Sequence, residues 1–267
     1  MYSFRTLSPA KADLEKGMKV VATTVGSKGP ESQVHNQERL DAAKQALINA
    51  KQMLADVLVL PGGFFTSHDS QSRQRIANSL ISKAEELGIA VVFGVDEEAE
   101  EPRKVKAKRK KRKGGKGGFP SPMYGYARSH TENMSYCLRQ RSTNRDDQWV
   151  VSDEMCKEVR ILKIGNEALG VLMCGEIFNQ RIRNAIIGYS LRPKVVADVA
   201  HVGQGFRVGK AMKKLCDFGL ASICSVHVKR RFAMKHCCIP KKGFVSSRDW
   251  DRVVDGPPRI ELKLWEF

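Results

Sequence analysis

The stretch LGVLMCGEIFN, residues 169–179, decides how the rest of the chain is read. Leu169 to Met173 is a short apolar run, the signature of a buried strand. It ends on Cys174. Gly175 follows, suited to a sharp turn, then Glu176. From Asn179 to Leu191 the pattern is helical. A cysteine on a strand-to-helix turn stands at the edge of a sheet with backbone N–H groups beside it, the geometry of an activated nucleophile. Packing is the competing reading, because cysteine is among the most buried residue types.

Working outward, the N-terminal side alternates strands and helices. Met18 to Val25 is β-branched and apolar, a core strand. Asn36 is placed to cap a helix running to about Leu54, with Leu40, Ala43, Leu47, Ala50 and Leu54 on one face. Val57 to Leu60 reads as a buried strand ended by Pro61-Gly62-Gly63. Asp69 or Ser70 caps a second helix, and Gly88 stops it. Ile89 to Val95 is the next strand. This β-α-β-α-β order predicts a layered α/β fold. Further strands are expected over Tyr124–Arg128, Ser135–Arg141, Val159–Ile164, Lys194–Ala200, Leu220–Val228 and Arg259–Trp265, with a helix from Arg207 to Phe218. Residues 1–17 read as a peripheral arm and 18–267 as a single domain.

Composition bounds the function. A chain of 267 residues, 42% hydrophobic, is long enough for one large core. No apolar run approaches the roughly 20 residues that span a bilayer, and no apolar signal segment opens the chain. Seven cysteines without a regular framework read as reduced thiols of a cytoplasmic protein. His236, Cys237 and Cys238 lack a second pair at ligand spacing, so no metal is expected. The net charge of +17 is mostly local: Arg103 to Lys116 holds ten Lys or Arg and no acid, and without it the excess is +7. An acidic block (Asp96, Glu97, Glu98, Glu100, Glu101) precedes it, so residues 97–120 read as a flexible, solvated insertion. No aromatic interleaves the run to stack on bases, and only weak, salt-sensitive polyanion binding is expected of it.

Three stretches, VLMCGEIFN (171–179), ADVLVLPGGFF (55–65) and ADVAHVGQGF (197–206), together with the element order, resemble the nitrilase superfamily of carbon–nitrogen hydrolases over almost the whole chain. The resemblance implies a four-layer α-β-β-α sandwich, a homodimer and no cofactor. It also implies hydrolysis of nitriles or non-peptide amides by a Glu-Lys-Cys triad, with Cys174 as nucleophile. Two of the three catalytic positions depart from it. Gly62 and then Gly63 stand where the family has its Glu, and Tyr136 to Thr143 offers Arg139 and Arg141 but no Lys. Arginine stays charged and donates hydrogen bonds, yet cannot readily act as acid or base.

The site residues expected on these grounds are Cys174, Arg141 and Glu176 for catalysis, with Gly62, Gly63, Arg139, Gly175 and His201 lining the substrate. The Gly175 N–H or Arg141 would stabilise developing negative charge. Glu176, His201 and His227 are the candidate bases. Two readings follow: a divergent carbon–nitrogen hydrolase, or a non-catalytic binding or scaffold protein that retains the fold. A base within roughly 3–4 Å of the Cys174 sulfur separates them.

Overall fold

The computed structural model describes residues 17–26, 35–97, 123–131, 135–141, 153–202, 206–227, 237–245, 250–256 and 258–267. The expected N-terminal arm, but for Gly17, and the basic insertion, but for Glu97, lie outside these residues. The strands are β1 (Lys19–Gly26), β2 (Val57–Val59), β3 (Phe65–Ser67), β4 (Ala90–Glu97), β5 (Met123–Arg128), β6 (Ser135–Arg139), β7 (Ile161–Ile164), β8 (Glu167–Met173), β9 (Val195–Val202), β10 (Ala221–His227), β11 (Cys237–Ile239), β12 (Gly243–Val245), β13 (Arg252–Val254) and β14 (Arg259–Glu266). The helices are α1 (Asn36–Gln52), α2 (Ser70–Leu87), α3 (Asp153–Lys157), α4 (Gln180–Ile187) and α5 (Phe206–Asp217). No described helix is long and apolar enough to cross a membrane.

Hydrogen bonding runs in the order β6-β5-β4-β2-β1-β10-β9-β8-β7. β4, β2, β1, β10, β9 and β8 are mutually parallel along this path. The seam lies at β1 and β10, whose ladder pairs only Thr24↔Val226 and Val25↔His227. On its other edge β1 pairs antiparallel with β14 along its full length. The sheet therefore folds over into two halves that face each other.

Alternation along the strands divides the apolar side chains into three layers. Val21 and Val25 of β1 and Val91, Phe93 and Val95 of β4 face Ala43, Leu47 and Ala50 of α1 and Ile76, Leu80 and Ala84 of α2. Their neighbours Val20, Ala22, Ala90 and Val92 face inward, against Leu169, Val171, Met173, Val195 and Ala197 of the opposing half. Leu172, Val196 and Ala200 face outward, against Ile182 and Ile186 of α4 and Val208, Met212 and Leu215 of α5. Three apolar layers between four structural ones make the expected α-β-β-α sandwich.

Asp69 caps α2, its carboxylate accepting the Ser72 N–H at 2.7 Å, and Gly88 closes the helix at φ 60°. Asn36, expected as the cap of α1, is its first helical residue, and the cap position is His35. The Asn36 amide instead donates to the Thr66 carbonyl at 2.6 Å, tying α1 to β3.

Candidate active site

The parallel strands bring the C-terminal ends of β4, β8 and β9, with the turn after β2, to one edge of the molecule. Open α/β sheets place ligands at such ends. Cys174 follows β8 directly, at φ 48°. A non-glycine residue in the left-handed region is strained by about 1–2 kcal/mol, and strain of this kind gathers at functional sites. The side chain is half-buried. A 3-10 turn, Cys174–Phe178, comes next. α4 begins only at Gln180, capped by the Asn179 side chain. The helix thus starts within one residue of the expected Asn179 and ends at Ile187, short of the expected Leu191, and its N-terminus is separated from the sulfur by the 3-10 turn.

His201, near the end of β9, is hydrogen-bonded to the Cys174 sulfur through its side chain and its backbone. Its Nε2 lies 2.7 Å from Asp96 Oδ1. Asp96, near the end of β4, is 7% exposed. The site is therefore a chain of three groups: carboxylate, imidazole, thiol. Burial pushes the Cys174 thiol up, but the charge and hydrogen bonds of His201 outweigh burial and leave it below the ordinary thiol value. Burial likewise pulls the imidazole down, and Asp96 and the sulfur more than reverse that, holding His201 well above its ordinary value. Both shifts run towards a thiolate beside an imidazolium, the direction that activates a cysteine nucleophile.

Gly63 makes room for this pair. It sits at φ 66°, and a Cβ there would stand 2.6 Å from His201 Cδ2 and 2.8 Å from Asp96 Oδ2. Gly62 is tied to β9 by its N–H, which donates to the Ala200 carbonyl at 3.1 Å.

Glu176 and Arg141 are brought to each other. Glu176 is fully buried. Its Oε1 accepts the Arg141 backbone N–H at 2.7 Å and Nε at 3.1 Å, and Oε2 accepts Nη2 at 3.3 Å. Arg160 Nη1 reaches both oxygens, at 3.2 and 3.4 Å, and the Met173 N–H donates to Oε2 at 3.2 Å. Arg141 also donates to the carbonyls of Met155 and Glu158. The Arg139 side chain is exposed, and its carbonyl accepts from Arg160 Nη2 at 2.8 Å. Gly175 is buried in the turn. His227 ends β10, and its side chain lies outside the described residues, as does His236.

Beneath the elbow lies Asp198, 1% exposed and in register with Leu172 of β8 and Cys224 of β10. The Cys224 thiol donates to its Oδ2 at 3.7 Å, and its Oδ1 has no partner among the described residues. Burial, reinforced by the nearby Cys174, raises this carboxyl well above its ordinary value. Among the described residues no group of three or more His, Cys, Asp or Glu is placed to hold a metal ion.

No family model and no curated protein matches the chain by sequence. Solved structures do. A mutant of the amidase from Nesterenkonia sp. AN1, with the acetamide moiety of fluoroacetamide added covalently at its active-site cysteine, is 14% identical at a TM-score of 0.64, over 98% of this chain and 94% of that one. A second structure of that amidase shows Michael addition of acrylamide at the same cysteine (TM-score 0.61, 14% identity, 94% and 93% covered). A third structure, of a different mutant, at TM-score 0.60 and 13% identity over 93% and 91%, is described as coming from the nitrilase superfamily. The chain has the nitrilase fold.

On the nitrilase fold, the position the resemblance assigns to the catalytic Glu is filled by another part of the molecule. A Cβ on Gly62 would stand 2.5 Å from Met123 Sδ and 2.9 Å from the Val199 carbonyl oxygen, and one on Gly94 would stand 2.7 Å from the same sulfur. The Met123 thioether thus lies in the space a side chain at 62 would need. Sequence reasoning found Cys174 and His201 but missed Asp96, which it placed in the acidic block before the insertion. The available signal was position: Asp96 directly follows the apolar run Ile89 to Val95.

Proposed function

We propose that this chain is a divergent carbon–nitrogen hydrolase in which Cys174 attacks the carbon of a small, non-peptide amide or nitrile. The observation that carries the reading is the hydrogen bond between the Cys174 sulfur and His201. It supplies the base within reach that the sequence left unassigned. The Gly175 N–H, next to the nucleophile in the turn, is the donor we assign to the developing negative charge. Arg141 and Glu176 act as supports of the elbow, since the carboxylate is taken up by Arg141, Arg160 and the Met173 N–H. Substrate enters beside Gly63 and His201, with Arg139 at the rim.

The test joins labelling to turnover. The full chain is incubated with fluoroacetamide and with acrylamide, and the adduct is located by mass spectrometry. Ammonia release is followed over a panel of small amides and nitriles. Labelling at Cys174, and turnover lost in Cys174→Ala, are expected. No adduct and no turnover across the panel favours the second reading, a non-catalytic binding or scaffold protein. The filling of the Gly62 site by Met123 is the observation that supports that alternative. The homodimer is a further proposal, checked by sedimentation equilibrium.

A further inference from the structure

This inference rests on the hydrolase reading and concerns how protons move in that site. We propose that His201 is the proton shuttle of that site, that Asp96 is its positioning residue, and that this pair takes the part of the Glu and Lys of the resemblance.

The described titratable groups around the sulfur divide cleanly. From β9, His201 bonds to it directly. From β4, Asp96 bonds to His201 at 2.7 Å and acts through it. From the 3-10 turn, Glu176 is saturated by two guanidinium groups and a backbone N–H. Asp198 of β9 and Cys224 of β10 bond to each other below the elbow. Arg141 cannot give up its proton. The place of the missing carboxylate holds a thioether, which neither donates nor accepts protons.

One shuttle closes an amide cycle. The Cys174 thiolate forms a C–S bond with the carbonyl carbon, and the C=O electron pair moves to oxygen. As it returns, the C–N bond breaks, its pair leaves on nitrogen, and the His201 imidazolium gives that nitrogen its proton. A thioester and a neutral imidazole remain. His201 then takes a proton from water while the oxygen attacks the thioester carbon. The C–S bond breaks, and the thiolate–imidazolium pair returns with a carboxylic acid released. Each half-reaction moves one proton through His201. A nitrile takes its first proton from His201 to give a thioimidate. The imidazole then passes a proton from the adding water to the nitrogen, and as the intermediate collapses it passes the hydroxyl proton to the leaving ammonia, which gives the same thioester.

The experiment reads the thiolate first and turnover second. Iodoacetamide alkylation of Cys174 is measured against pH, with the site confirmed by mass spectrometry, in the parent chain, His201→Gln, Asp96→Asn and Asp96→Glu. Circular dichroism and the urea midpoint confirm that each variant is folded. The parent midpoint should lie below the ordinary thiol value of about 8.5. His201→Gln should raise it by a pH unit or more, which slows alkylation at neutral pH about tenfold, since one unit is a tenfold change in thiolate fraction. Asp96→Asn should shift it the same way by less, and Asp96→Glu should restore part of the shift. A folded His201→Gln whose profile overlays the parent overturns the proposal. Turnover lost in folded His201→Gln supports the shuttle, and turnover retained there at a comparable rate overturns it. If the thiolate shifts appear and neither amides nor nitriles turn over, the hydrolase reading falls and the Asp96–His201–Cys174 pairing stands.

Discussion

Glu176 shows how much a buried charge depends on its company. An ionised carboxylate without water is tolerated only when its oxygens are paired, and here Arg141, Arg160 and the Met173 N–H pair them. Glu176→Gln removes the buried counter-charge of two guanidinium groups and leaves them only the half-exposed Glu158, 4.0 Å from Arg141. The expected loss is about 3–5 kcal/mol, read as a fall in the urea midpoint. Asp198 is the opposite case, with no cation bonded to it and an orphaned Oδ1. The folded chain therefore holds the Asp198 proton to a higher pH than the unfolded chain, where the carboxyl ionises near pH ~3.9. The folded state then binds the extra proton, so stability is full below that value and falls as pH rises towards the raised one. Asp198→Asn should flatten this slope, and its urea midpoint should gain on the parent between pH 5 and pH 8. At this scale the sequence revealed which residues carry chemistry and hid which of them meet. Arg141 and Glu176 were legible as charges near the nucleophile. That they cancel each other depends on a contact 35 residues apart in sequence, which no local pattern encodes.

Among the elements, those with a full period were readable. α1 and α2 each run for more than four turns, and the eight-residue strands β1 and β4 carry unbroken apolar patterns. β3, β11, β12 and β13 were missed because each has three residues, too few to display an alternation, and β2, equally short, was legible only from its unbroken apolar run. The 3-10 turn after Cys174 was missed for a related reason: five residues of CGEIF show no periodicity. Yet it is this turn that points the Glu176 carboxylate back to the Met173 N–H. Helix ends were legible where chemistry dictates them. Gly88 closes α2 in the left-handed region, and Gly88→Ala should cost about 1 kcal/mol or somewhat more, measured by thermal unfolding of the full chain.

At the scale of the whole molecule, two half-sheets are joined through a buried knot of hydroxyls. The Ser225 hydroxyl accepts the Thr23 N–H at 3.0 Å and donates to the Val59 carbonyl at 2.7 Å, where Thr23 Oγ1 also donates at 2.8 Å. The knot ties β1 and β10 to the end of β2 where the halves meet. Ser225→Ala orphans the Thr23 N–H, an expected loss of about 1–3 kcal/mol. Hydrogen exchange should quicken first at Thr23 and its neighbours. The four layers themselves followed from the family resemblance. Alternation reveals that a strand has two buried faces, not which half-sheet each face meets. The basic run at 103–116 lies outside the described residues. Binding to a heparin column should weaken steeply with salt and drop when 103–116 is deleted, and retention that survives the deletion would refute that assignment.

A carboxylate introduced at position 62 would collide with the Met123 thioether, which a second substitution could remove, and with the Val199 carbonyl, which none could. Gly62→Glu should unfold more readily than the parent, and adding Met123→Ala should recover only part of the loss. The packing around one methionine therefore works as a lock: it closes position 62 to a carboxylate whatever single change is made there.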